Sequence, residues 1–75
     1  MGNRKAFERC MGILGDSFDR ELQRGREIDA RYAYGNVVGA YFLAYCQGII
    51  TEQECNRLFD EAKNRFYDTD FSGRR

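Results

Sequence analysis

The chain has no histidine and no proline among its 75 residues, and no excess charge of either sign: twelve Lys and Arg stand against twelve Asp and Glu. Each absence excludes something. Without histidine there is no imidazole to act as a general base, and a zinc site would have to rest on other ligands. The three cysteines, Cys10, Cys46 and Cys55, are odd in number, widely spaced and include no Cys-x-x-Cys pair. Neither a structural zinc nor a disulfide framework is therefore expected, and with no recognisable signal peptide a reduced, cytoplasmic setting fits. Without proline, nothing interrupts long helices. Without net charge, attraction to nucleic acid or an anionic membrane is not built in. The signs also interleave, seven basic and six acidic up to Arg31, then five and six from Glu52 onward, so neither end is a basic arm or an acidic tail. Helix-face pairs at i,i+4 are expected at Asp16/Arg20, Glu27/Arg31 and Glu61/Arg65.

At this length one apolar core gives only about 3–5 kcal/mol of net stability. Disulfides and zinc are unpromising, so oligomerisation or complex formation is the expected supplement. The whole chain, 1–75, reads as one helical domain. Phe7, Met11, Leu14, Phe18 and Leu22 step by four, three, four and four, one helical stripe that predicts a helix over about 4–24. Gly12 and Gly15 weaken it, with a possible break near Gly15. Gly25 is a joint, and a second helix follows over about 27–47, ended by Gly48. In "GIITEQEC", Thr51 and Glu54 form a capping box, and Ile50 and Cys55 occupy the two positions of a hydrophobic staple. Cys55, Leu58, Phe59, Ala62 and Phe66 then predict a third helix over about 52–67, followed by a short non-helical tail, 68–75.

"YAYGNVVGAYFLAYCQGIIT", Tyr32 to Thr51, carries no charge at all. A membrane span needs about 20 predominantly apolar residues, and this stretch holds Asn36, Gln47, four tyrosines and three glycines. It instead predicts a central helix surrounded by protein. One face carries Gly35, Gly39, Phe42, Cys46 and Ile49, where small residues four apart suit tight packing against a neighbouring helix. Another carries Tyr34, Val38, Tyr41 and Tyr45, part of which is expected to stay exposed. The cysteines are expected to be small core residues, since Cys10 and Cys46 fall on apolar stripes and Cys55 is the staple residue.

Three phrases suggest chemistry. "GDSF", Gly15 to Phe18, resembles the start of GDSL-type hydrolases, but that reaction needs a histidine base, and Asp16 or Ser17 reads as a helix cap. "FYDTDFSG" is similar to the opening of an EF-hand calcium loop, with Asp68, Asp70, Ser72 and Gly73 at its first positions. The bidentate glutamate that closes such a loop has no counterpart. "LAYCQGIITEQECNRLF" resembles a helix-turn-helix of the DNA-binding family. Leu43, Ala44 and Gly48 match the first helix and turn, and Thr51, Cys55, Asn56 and Arg57 match the second helix, with Ile50 as one extra residue in the turn. That resemblance implies Gln53, Asn56 and Arg57 as base or phosphate contacts. Glu52 and Glu54 at the helix start oppose phosphate approach, so nucleic acid is not the expected partner. "GIITEQE" is also similar to the helical-hairpin corner of short SHOCT-type C-terminal domains, which implies a fold element and no activity.

The expectation is thus an all-α, small three-helix bundle with an uncharged central helix and no catalytic set, metal or cofactor. Its function is expected to be non-catalytic binding to a larger protein or complex. Tyr34, Tyr41 and Tyr45 would anchor that contact, with Arg20, Arg24 and Arg31 at its rim. Small free-standing binders of this kind include phage or mobile-element inhibitors such as anti-CRISPR proteins. A homodimeric structural or adaptor protein is the alternative, as is a DNA-binding regulator using residues 43–59.

Overall fold

The computed structural model describes residues 2–71. Among them the chain forms α1 (Gly2–Arg24), α2 (Glu27–Cys46) and α3 (Glu52–Asp68), with no strand. The expected three-helix bundle is present, with boundaries within two residues of those read from the periodicity. α1 is continuous: Gly12 and Gly15 do not break it. Each glycine costs a helix about 1 kcal/mol relative to alanine, less than burying the Phe7–Leu22 stripe returns.

Two glycines set the corners. Gly25 (φ 71°) and Gly48 (φ 75°) adopt the left-handed conformation that side chains resist. At the second corner the Gly48 amide donates to the Tyr45 carbonyl (3.0 Å) and the Ile49 amide to the Ala44 carbonyl (2.9 Å), the paired bonds of a Schellman turn. Ile49 then packs beside Ala44, as that turn favours. Thr51 caps α3, its hydroxyl accepting from the Glu54 amide at 3.1 Å, and Ile50 and Cys55 are buried together as the staple required. Only half of the capping box forms, because the Glu54 carboxylate is engaged elsewhere: Arg4 of α1 donates to both of its oxygens, at 2.9 and 3.2 Å.

α2 is the shared wall. Its inner face is made of Ala30, Ala33, Val37 and Ala44, all buried, and these small side chains let both neighbours approach closely. Against it lie Phe18 from α1 and Ala62 and Phe66 from α3 in one cluster, and Ile50 and Cys55 in a second, with Tyr41 touching both. Tyr34 stacks on Phe66 (5.3 Å between ring centroids) and tilts against Phe18 (6.1 Å), so each helix contributes one ring to a central column. After Thr69 ends α3, Phe71 returns to Phe66 (5.4 Å) and closes that end of the core.

α1 and α3 lie side by side and point the same way, clipped near their starts by Arg4–Glu54 and further along by Asp19–Arg65. Both lie chiefly on α2, so the bundle is flattened, 44 × 20 × 13 Å across its Cα atoms. Of the expected helix-face pairs, Glu27–Arg31 forms at 2.9 Å. Asp16–Arg20 and Glu61–Arg65 do not: Glu61 accepts from Arg57, and Arg65 reaches Asp19 and lies over the Phe18 ring. Inter-helix geometry gave Arg65 a partner that helix spacing alone does not reveal.

Phe18→Ala is expected to cost about 3–5 kcal/mol, comparable with the whole net stability of a domain this small, and so to unfold it at room temperature. Tyr34→Ser is expected to lower the urea midpoint strongly, and Tyr45→Ser to leave it nearly unchanged, by far-UV circular dichroism. The Arg4 hydrogen bond holds the Glu54 carboxyl below its ordinary value of 4.5. A lowered folded-state pKa stabilises at pH above the unfolded value, and that contribution is lost as pH falls through the folded one. Between about pH 5 and about pH 3, Glu54→Gln is therefore expected to lose less melting temperature than the wild type.

Candidate protein-binding surface

α2 is apolar around nearly its whole circumference, yet its neighbours cover only one side. At about 100° per residue, Ile28, Tyr32, Gly35, Gly39, Phe42 and Cys46 fall on one face, diametrically opposite Val37. All six are exposed. Among the described residues, five of the seven exposed large hydrophobic side chains belong to this helix: Tyr32 (73 % exposed), Ile28 (72 %), Leu43 (58 %), Phe42 (56 %) and Tyr45 (38 %).

This arrangement corrects the expected use of the small residues. Gly35 and Gly39 do not pack against a neighbouring helix, and a Cβ at either position would meet nothing within 4 Å. Of the face that contains them, only Ile49 packs inward. Alanines outcompete glycines for the interior because they still bury a methyl group while permitting close approach. The same preference decides the tyrosine row. Tyr34 and Tyr41 are half-buried flanks of the alanine face and part of the core, and burial raises the Tyr41 phenol above its ordinary value of 10.0. Tyr45 alone belongs to the exposed strip, its ring 6.4 Å from that of Phe42.

The rim arginines separate. Arg31 pairs with Glu27, lies over the Phe66 ring at 5.7 Å and borders the strip. Arg24 pairs with Glu21 within α1, and Arg20 is exposed on that helix. Gln53, Asn56 and Arg57 are exposed on α3, where the Arg57 guanidinium donates to Glu61 at 2.9 Å. α2 and α3 run antiparallel along their length, with ring contacts at Tyr41–Phe59 (6.2 Å) and Tyr34–Phe66. DNA-binding helix-turn-helix pairs instead cross at about 90–120°.

Ile28, Tyr32 and Leu43 were not anticipated. Their signal lay in the alanine spacing: Ala30, Ala33, Val37 and Ala44 mark a third face, and once it is turned inward the opposite strip follows. A depression of about 290 Å³ lined by Ile28, Arg31 and Tyr32 opens on that strip. A second cleft of about 250 Å³ lies where α1 meets the end of α2, beside Phe7, Cys10, Leu43 and Ala44.

Cys55 takes the core position expected of it, and Cys10 and Cys46 do not. Cys55 is buried, its thiol 3.7 Å from the Tyr41 carbonyl, and burial pushes that thiol above its ordinary range. Cys10 and Cys46 are exposed, because Cys10 sits at the edge of the α1 stripe and Cys46 on the outer face of α2. Among the described residues no group of three or more His, Cys, Asp or Glu side chains is placed to hold a metal ion. Of the loop-like phrase, Asp68 ends α3, and Ser72 and Gly73 lie outside the described residues. No described helix is long and apolar enough to cross a membrane.

No protein-family model, curated protein or solved structure matches this chain. In native conditions a thiol reagent such as DTNB is expected to label Cys10 rapidly and Cys55 only on unfolding. Rapid labelling of all three would show that the second core cluster is open.

Proposed function

We propose that this chain is a non-catalytic protein-binding module that docks on another polypeptide through the outer face of α2, in the manner of a small inhibitor or regulator of a larger protein. The observation that carries this reading is the concentration of large apolar side chains on the uncovered side of a helix whose other side already forms the core. Contiguous exposed apolar surface of this kind is characteristic of interaction sites. Tyr32 and Phe42 are its anchors, since aromatic residues bring large contact area at low rotamer cost. Tyr45 extends the strip towards α3, and Arg31 supplies a charged rim.

The supplement that so small a core requires is then the partner itself. Phage and mobile-element inhibitors, anti-CRISPR proteins among them, are the class of compact helical binder to which this reading assigns the chain.

A photo-reactive benzophenone residue in place of Tyr32 tests it in the native host. Irradiation is expected to give a covalent adduct with a polypeptide. The same group in place of Lys63, exposed on α3, is expected to give none. Equal adducts at both positions, or none at position 32, would remove the outer face of α2 as the contact surface.

A further inference from the structure

We propose that, until a larger partner takes its place, the outer face of α2 is covered by a second copy of this chain, lying antiparallel and crossing its twin at Gly35 and Gly39. This rests on the reading that the outer face binds protein, and it names the occupant. A twofold-symmetric interface must be complementary to itself, with each residue facing a residue of the same patch. The outer strip has that property. Its members, Ile28, Tyr32, Gly35, Gly39, Phe42 and Cys46, are separated by four, three, four, three and four residues, so the spacing reads identically from either end.

The residue types mirror as well: an apolar residue, an aromatic and a glycine, then a glycine, an aromatic and an apolar residue. In the antiparallel register centred on residue 37, Gly35 meets Gly39, Tyr32 meets Phe42, and Ile28 meets Cys46, each pair occurring twice. Two helices that touch at glycines diverge away from the crossing point. The bulky aromatics stand where the gap widens and fill it. The depression between Ile28, Arg31 and Tyr32 lies at the level reached by Phe42 of the other copy, a knob and a hole on the same surface.

Area and charge agree. Aromatic side chains bury about 150–250 Å² each. With 38–73 % of each still exposed, Ile28, Tyr32, Phe42, Leu43 and Tyr45 together offer roughly 600 Å² per copy, the lower end of what each partner contributes to a specific interface. The six seam residues carry no charge and the chain has no net charge, so two copies meet without repulsion. Antiparallel packing also sets Arg31 beside the C-terminal turn of the other α2, the negative end of its dipole. Gly35 and Gly39 gain a purpose. Each weakens α2, and a Cβ at either would meet nothing within 4 Å in the protomer, whereas glycine suits a place where two backbones touch.

Sedimentation equilibrium of the full chain over about 5–500 μM, bracketing micromolar affinity, is expected to give twice the protomer mass. Gly39→Leu is expected to keep or raise helicity, because open space surrounds that position in the protomer, and to return the mass to that of one protomer. Register is tested by disulfide trapping. In a Cys10→Ser background, Ile28→Cys is expected to form a covalent dimer with the partner's Cys46 under mild oxidation, while Cys46 alone does not. Cross-linking through Cys46 alone would overturn the antiparallel register, and a dimer unaffected by Gly39→Leu would overturn the glycine crossing. A single-protomer mass throughout would overturn self-association. A position-32 adduct with a different polypeptide would then leave the docking reading standing, and no adduct would end both.

Discussion

The fold turns on one column of rings. Phe18, Tyr34 and Phe66 come one from each helix, and each is in contact with the small-residue face of α2. Because that face is alanine and valine rather than leucine, α1 and α3 sit close enough to α2 for Phe18 and Phe66 both to reach the Tyr34 ring. The ion pairs between α1 and α3 then line up without burying charge. Exposed pairs of this kind contribute little energy, and their role is to fix the register of two helices already held by apolar contact.

The same arrangement leaves α2 with a second apolar side and nothing to cover it. Three helices cannot enclose one of themselves unless the outer two spread around it, and here they lie together on one side of the slab. A helix that is apolar all round belongs in the middle of something larger. The outer face of α2 is therefore where the proposed contact would supplement so small a core.

Most of the fold was legible in the sequence. The stripes of α1 and α3, the glycine joints, the Thr51 cap and the Ile50–Cys55 staple are local signals, and each is decided by residues a turn apart. What could not be read was the rotation of α2. A helix with no polar side gives no periodic cue to which face turns inward, and its tyrosines carry far more apolar area than the alanines that occupy the core. Which part of the tyrosine row stays exposed is therefore left open by the sequence, and Gly35 and Gly39 read as inward packing positions. The error in Cys46 follows from that rotation. Glu54 and Arg65 escaped because their partners lie on another helix, 50 and 46 residues away in the chain, beyond the reach of any local pattern.

The two tight glycine corners mean that helices adjacent along the chain are also adjacent in space, so nearly all packing is between neighbouring segments. Topologies of such low contact order fold within microseconds to milliseconds, because little loop-closure entropy is spent before native contacts form. A thin core makes openings frequent, and the short corners make them brief. A topology connected in this way re-forms quickly after opening, which shortens the time an open state is exposed to proteases or to other open chains.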